Sequence, residues 1–471
     1  MKIFNTMTRK KEQFVPLCDD EVKIYACGPT VYNYIHIGNA RPICVCDVLR
    51  RFLEYIGFKI KLVQNFTDID DKIIKKAIEE NTDYLSVSKK YIEEYKIDAK
   101  GLNIREASIH PKATENISEI INMIEVLIKK GFAYKAKNGD VYFRTKKFKE
   151  YGKLSHQPLS DLEAGARISI GELKEDPMDF VLWKSAKPFE PFWKSPFGNG
   201  RPGWHIECSA MANKFLGKTI DIHYGGQDLI FPHHENEIAQ SECFNDVEFA
   251  RYWMHNGYIN IDNKKMSKSL NNFFTVREIA DKYGYEPIRY LMLSSHYRSP
   301  INYSEDIIKQ CIASLDRLYT CKKNLEFMLE KSNESKPIDE EFKNKLISHK
   351  KDFIDAMDDD LNTADAITAI FELVRDINIK FNDSKKSSEL SKDSISFSLN
   401  LFNELTGVLG LVYKTDNNSL EDDIEKLIKE REEARKNRDF FKADKIRDEL
   451  KARNIILEDT KNGVKWKKIG D

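Results

Sequence analysis

The chain has 471 residues, a formal net charge of −1, 41% hydrophobic residues and 11% aromatics. This length suits two to four domains with real apolar cores, and the charge balance excludes a generally basic nucleic-acid coat. No stretch approaches a membrane span, and the first ten residues carry no apolar leader, so a cytoplasmic chain without membrane association is expected. Eight cysteines without paired short-range spacings point to reduced thiols, not to a disulfide scaffold.

In chain order, Val22 to Cys27 predicts a strand that runs into a Gly-Pro loop. Gly38 to Tyr55 predicts a helix with Val45, Val48, Leu49 and Phe52 on one face. Lys59 to Phe66 predicts a second strand, after which Thr67-Asp68 opens a turn-to-helix segment through Ile78. Alternating strands and helices in this order predict an α/β fold with a parallel, doubly wound sheet. Residues 113–131 predict an amphipathic helix carrying Ile117, Ile120, Ile121, Ile124, Leu127 and Ile128, ended by Gly131. Between 132 and 200 the texture changes to short strand-like pieces among Lys, Pro and Gly, which predicts an insertion. Strand and helix resume with Ile220 to Tyr224 and Glu235 to Cys243; beyond Asp306 the pattern is almost purely helical. A polar break from Lys414 to Asp423 predicts a linker to a small terminal module. The expected division is a catalytic domain over 1–310 with an insertion at about 112–202, a helical bundle over 311–418, and a module over 419–471.

Three groups of residues carry chemistry. His36-Ile37-Gly38-Asn39 follows a predicted strand and opens a predicted helix, where unsatisfied N–H groups and the positive helix end attract phosphate. Taken alone, it also reads as an ordinary turn with a surface histidine. Lys265-Met266-Ser267-Lys268-Ser269 reads either as a lysine-rich surface loop or as a mobile loop whose ammonium groups neutralise departing pyrophosphate. The third group is a set of metal-ligand candidates. His233 and Glu237 are four apart and share a helix face, and with Cys27 and Cys208 they make a plausible zinc set. On chemistry alone His234 competes with His233, and a satisfied histidine beside a solvated acidic face is the bland reading.

The two nucleotide signals, in this order and separated by an insertion, resemble the paired signatures of class I aminoacyl-tRNA synthetases. Together with Cys27-Gly28-Pro29-Thr30, Asn65-Phe66-Thr67-Asp68-Ile69-Asp70, Gly203-Trp204-His205-Ile206-Glu207-Cys208 and Gly225-Gly226-Gln227-Asp228, the chain resembles the cysteinyl-tRNA synthetase family over essentially its whole length. The resemblance implies a Rossmann-type catalytic domain with an inserted subdomain, an α-helical bundle and a C-terminal anticodon-binding module. It also implies activation of L-cysteine by ATP, with Mg2+, and transfer of cysteine to the 3′ end of tRNA(Cys) by a monomer. By the same resemblance, one Zn2+ is held by Cys27, Cys208, His233 and Glu237 and binds the substrate thiolate.

His36, Asn39, Lys265 and Lys268 match the catalytic signatures, and Gly38, Gly225, Gly226 and Asp228 complete the expected ATP site. Thr30, Thr67, Trp204 and Asp228 match residues that hold the amino acid. Arg435, Phe440, Asp444 and Asp459 match anticodon contacts. One departure is Asn39, where the family's motif often has His; asparagine can still donate a hydrogen bond. Zinc makes chemical sense here, because shape alone separates near-isosteres such as cysteine and serine by only about 10²-fold, whereas zinc favours a soft thiolate over a hydroxyl. Lysines from Lys129 to Lys153, interleaved with Tyr134, Tyr142, Phe143 and Tyr151, read either as a solvated basic face or as a surface for an RNA end, and the resemblance implies contact with the tRNA acceptor end. Two other readings are a cysteine ligase acting on an amino-sugar, which would lack the anticodon module, and a zinc-containing RNA-binding protein without catalysis.

Overall fold

Residue burial along the central sheet explains its topology. All seven residues of the strand Ile220–Gly226 are buried, as a strand covered on both faces requires. In the computed structural model it lies between Ala250–Asn256 and Glu21–Ala26, and Lys59–Gln64 pairs on the far side of Glu21–Ala26. All three pairings are parallel. Glu21–Ala26 connects through the helix Ile37–Tyr55 to one neighbour, while its other neighbour comes from much later in the chain. The connections thus leave the two central strands in opposite directions and open a crevice at their carboxyl ends, where ligands of such sheets bind. The described residues are 1–157, 174–262, 264–265, 273–332, 337–382, 391–414, 427–428, 430–435, 439–452, 455–460 and 463–468.

The insertion is a four-stranded antiparallel meander of Ala133–Lys135, Val141–Phe143, Phe180–Ser185 and Gly200–Pro202. Its core joins Phe143, Leu182 and Trp183 to Ile120, Ile124 and Leu127 of the helix Ile117–Lys129, and to Ile206 and Ala210 of the helix Trp204–Leu216. The insertion is therefore packed directly on the helix that carries Cys208. Tyr134, Tyr142, Phe143 and Tyr151 are at most 8% exposed. This corrects the expectation that they offer stacking surfaces to RNA: Phe143 and Tyr151 pack into the core shared with the helices, while Tyr134 and Tyr142 pack together in a second small apolar cluster.

Four helices, Glu305–Lys331, Glu340–Asp358, Thr363–Asn382 and Lys392–Leu409, share one apolar core with the sheet and the helix Ile37–Tyr55. A buried polar seam runs through that contact. Asp47 Oδ2 accepts from Arg51 Nε at 2.7 Å and Arg289 Nη2 at 2.6 Å, and Arg289 Nε also donates to the Leu409 carbonyl at 2.8 Å. Burial opposes ionisation of Asp47, but Arg289 and then Arg51 hold its carboxyl below the usual range. At the C-terminus, the helix Phe440–Ala452 and the antiparallel strands Ile455–Thr460 and Gly463–Lys468 form a unit with its own small core of Ile428, Ile446, Leu450 and Ile455.

Sequence patterning does not reveal the N-terminal hairpin of Lys2–Asn5 and Lys10–Gln13, or the helix Tyr84–Gly101. The second strand stops at Gln64, not Phe66, because Asn65 spends its side chain on Gly28 N and Thr67 Oγ1 while Phe66 N donates to the Pro111 carbonyl. Among the described residues no helix is long and apolar enough to cross a membrane.

Candidate active site

Cys27 follows the last residue of a central strand, and its N–H still donates to the Tyr224 carbonyl at 3.3 Å, so the thiol sits at the carboxyl edge of the sheet. The chain can turn there only because residue 28 is glycine; a Cβ at Gly28 would overlap the Asn65 carbonyl oxygen. Cys208 enters from the helix Trp204–Leu216 and is 1% exposed. His233 and Glu237 do not lie on one regular helix: His233 belongs to a π-helical turn, Ile230–His234, and Glu237 to the first turn of Glu235–Asn245. The four-residue spacing still brings His233 Nε2 to 3.0 Å from Glu237 Oε1.

The four donors expected to bind metal converge. Cys27 Sγ is 4.0 Å from Cys208 Sγ and 3.4 Å from Glu237 Oε1, and all four donor atoms of Cys27, Cys208, His233 and Glu237 lie within 4.8 Å of one another. A second set, Cys27, His223, His234 and Glu237, meets the same limit. Within it, His234 Nε2 is 3.3 Å from Cys27 Sγ and His223 Nε2 is 2.9 Å from Glu237 Oε2. His234 Nδ1 is tied to His255 Nε2 at 2.8 Å, and His233 Nδ1 to His205 Nδ1 at 2.8 Å.

The electrostatics suit a dication. A hydrogen bond from Cys27 holds the Cys208 thiol down at about 6, whereas burial, followed by that same bond, pushes Cys27 well up. Burial opposes the charge on Glu237, but His223 and His233 outweigh it and hold the carboxyl at about 2. Burial likewise opposes protonation of His233, yet Glu237 and then Cys208 raise it to about 10. The cluster is thus biased toward a thiolate and a carboxylate, with the His233 imidazolium as their counter-charge. A bound dication would take over that balancing role and release protons from His233 and Cys27.

At the nucleotide side, His36 precedes the helix Ile37–Tyr55, and Asn39 Oδ1 accepts from His36 N at 3.2 Å. Ile37 N donates to the Phe274 carbonyl, His36 bridges Thr275, and the His36 and Phe273 rings meet edge-on at 5.2 Å. The helix entry is therefore docked on the segment just after the lysine loop. Lys268 lies outside the described residues; Lys264–Lys265 is described as a backbone strand paired with Asn260 and Ile261. Gly225 and Gly226 end the buried strand, where a Cβ on Gly225 would come within 2.7 Å of His234 Cε1, and a Cβ on Gly226 would strike Asp228 Oδ1. Asp228 is exposed in the turn Gln227–Leu229.

Thr30 and Thr67 face each other in a parallel bridge across the crevice. Trp204 is 40% exposed, and its ring lies over His233 with centroids 4.2 Å apart. In the terminal unit Arg435 and Asp444 are exposed, Phe440 is 60% exposed, and Asp459 is in register with Val464. Residues that sequence reasoning missed are His205, His223, His255, Asn65 and Glu207, all buried at this site. The available signal was polarity out of place: a histidine between the apolar residues Ile222 and Tyr224, and a glutamate between Ile206 and Cys208.

Family models for the tRNA synthetases class I (C) catalytic domain, the DALR domain and the cysteinyl-tRNA ligase anticodon binding domain match residues 13–313, 352–414 and 417–466. Methionyl-tRNA synthetase of Mycobacterium tuberculosis, solved in complex with methionyl-adenylate, shares the fold at a TM-score of 0.61 and 13% identity, over 83% of this chain and 89% of that one. The LeuRS–tRNA–LeuAMS ternary complex of Agrobacterium radiobacter K84 gives 0.59 at 11% identity, over 84% and 85%. The cysteine–tRNA ligase of Clostridioides difficile (strain 630) is 56% identical over 472 residues, covering 100% of both chains. With a class I catalytic domain, a converged thiolate–imidazole–carboxylate cluster at its switch point and this identity along its full length, the chain belongs to the cysteine–tRNA ligase family.

Proposed function

We propose that the chain activates L-cysteine with ATP, releasing pyrophosphate, and transfers cysteine from the adenylate to the 3′ end of tRNA(Cys) in the cytoplasm. The observation that carries this reading is the placement of the Cys27–Cys208–His233–Glu237 cluster at the carboxyl edge of the sheet, with the His36 helix entry only nine residues along the chain from Cys27. That placement suits a substrate held by its sulfur at one end and reacting through its carboxylate at the other.

We assign Zn2+ to Cys27, Cys208, His233 and Glu237 in preference to the set with two histidines, because paired thiolates are the softer donors. Zinc, when bound, supplies a Lewis acid that prefers a thiolate to a neutral hydroxyl. The protein's part is to orient that cluster: His205 fixes the His233 ring through its Nδ1, and His223 takes up the second Glu237 oxygen. Trp204 covers His233 and narrows the space left for a side chain. On the nucleotide side, Asn39 Oδ1 is occupied by His36 N, which leaves the amide nitrogen as the donor for a phosphate oxygen. The positive end of the helix favours the phosphates, and Lys265 and Lys268 meet the charge that develops on pyrophosphate, whose Mg2+ arrives with ATP. Thr30, Thr67 and Asp228 hold the amino acid, Gly225 and Gly226 admit the adenosine, and Arg435, Phe440, Asp444 and Asp459 read the anticodon. The functional division follows 1–310 with its insertion at about 112–202, 311–418 and 419–471.

A chain ending near Asp422 is expected to keep cysteine-dependent ATP–pyrophosphate exchange while its charging of tRNA(Cys) falls steeply, measured side by side with the full chain. Loss of exchange in a truncation that still folds would contradict the separation of activation from anticodon reading. An acceptor other than tRNA, such as an amino-sugar, is disfavoured by the match of 417–466 to an anticodon binding domain.

A further inference from the structure

Among the described residues, other buried carboxylates are met by basic side chains or by backbone N–H groups. Asp47 and Asp360 take arginines, with Arg289 on the first and Arg298 on the second. Glu235 takes backbone N–H groups instead, from Gly152 at 2.9 Å and Ser155 at 2.8 Å. Glu207 fits neither pattern. It is 1% exposed on the helix Trp204–Leu216, and the hydrogen bond it accepts is from the Thr67 hydroxyl, 3.0 Å from its Oε2. Among the described residues no lysine, arginine or histidine forms an ion pair with it, and its side-chain partner is the Thr67 hydroxyl. A carboxylate withdrawn from water without a basic partner is costly, and a cationic group of a bound substrate beside it lowers that cost.

The hydrogen-bond polarity of Thr67 shows where that cation sits. Its hydroxyl proton is committed to Glu207, and its oxygen accepts from Asn65 Nδ2 at 3.4 Å. A hydroxyl has one proton and two lone pairs, so what remains is one lone pair, able to accept and unable to donate. Asn65 also fixes the loop at Gly28 N, 3.0 Å away, and its Oδ1 lies 3.8 Å from Cys208 Sγ. The acceptor therefore stands next to the thiol-binding cluster. In cysteine the ammonium nitrogen and the sulfur are separated by only two carbons, so a substrate whose sulfur is on that cluster brings its ammonium group to this position.

We infer that Glu207 is the counter-charge for the α-ammonium group of the amino-acid substrate, acting through Thr67, whose hydroxyl it locks as an acceptor. Glu207 is thus a positioning residue that selects an α-amino acid over a thiol acid lacking nitrogen. This rests on the cysteine-activating reading proposed above.

The test compares L-cysteine with 3-mercaptopropionate, which keeps thiol and carboxylate but has no ammonium group. Binding of each to zinc-loaded wild type and Glu207→Gln is measured by calorimetry, with zinc content determined on the same samples. Cysteine affinity is expected to fall by about 10- to 100-fold in Glu207→Gln, which keeps an acceptor for Thr67 but removes the charge that strengthens the hydrogen bond to the ammonium group, while 3-mercaptopropionate binding and zinc content stay unchanged. If Glu207→Gln does not fold, Thr67→Val removes the same acceptor and should show the same selective loss, with Thr67→Ser restoring cysteine binding. Equal weakening of both ligands, or no weakening of either, would overturn the inference. Failure of the wild type to bind cysteine would instead overturn the proposed function.

Discussion

Cys208→Ala loses the bound zinc and, with it, the discrimination of cysteine from serine. Cys208 is 1% exposed, 4.0 Å from Cys27 Sγ, and hydrogen-bonded so that its thiol is held down at about 6. It is the donor already biased to the thiolate before metal arrives. Without it, one thiol, one imidazole and one carboxylate remain, a set that has lost one of its two soft donors and holds zinc far more weakly. Alanine is a good helix former and Cys208 lies inside the helix Trp204–Leu216, so the fold survives the change. The zinc content of purified protein should fall from one per chain to a small fraction. The preference for cysteine over serine in pyrophosphate exchange should drop to the roughly 10²-fold that shape alone gives. Unchanged zinc in a folded Cys208→Ala protein would remove Cys208 from the ligand set and favour the one built on His223 and His234.

Lys268→Ala slows adenylate formation by about 10²- to 10³-fold, the usual effect of removing one group aimed at charge that develops in a transition state. The KM for cysteine should hardly move, because the amino acid is held by the cluster and not by the lysine loop. The described residues on either side of that loop give it a fixed base. Lys264–Lys265 pairs back on Asn260 and Ile261, and Phe273 to Thr275 is docked on His36 and Ile37. Single-turnover formation of cysteinyl-AMP separates the two quantities, and parallel losses in kcat and in cysteine affinity would contradict a role confined to the leaving group.

Strong local patterns carried most of the architecture. The helix over Gly38 to Tyr55 and the strand beginning at Ile220 are found within a residue or two of their expected limits, because each combines a clear apolar period with a glycine or a loop at its end. The hairpin Lys2–Asn5 with Lys10–Gln13 was not visible, since four-residue strands rich in lysine owe their conformation to pairing and to contacts such as Phe4 N with Asp360. At the site, the spacing of His233 and Glu237 foretold their contact but not the π-helical turn that delivers it. The supporting histidines and Glu207 escaped notice for a different reason. Their significance lies in what they touch across the fold, His205 on His233, His223 on Glu237 and Glu207 on Thr67, and no sequence period encodes such contacts. The aromatic residues of the insertion mark the opposite failure, where composition suggested a surface and packing placed the rings inside.

The claim that metal-borne sulfur recognition is coupled to carboxylate activation is tested most directly on the wild-type chain. Pyrophosphate exchange would be measured with cysteine and with serine at equal concentrations, before and after zinc is removed by a chelator and restored. Zinc-loaded protein should exchange with cysteine far beyond the roughly 10²-fold advantage over serine that shape permits. Removal of zinc should abolish the cysteine reaction, and readdition should restore it. Cysteine selectivity that persists in zinc-free protein would contradict the claim.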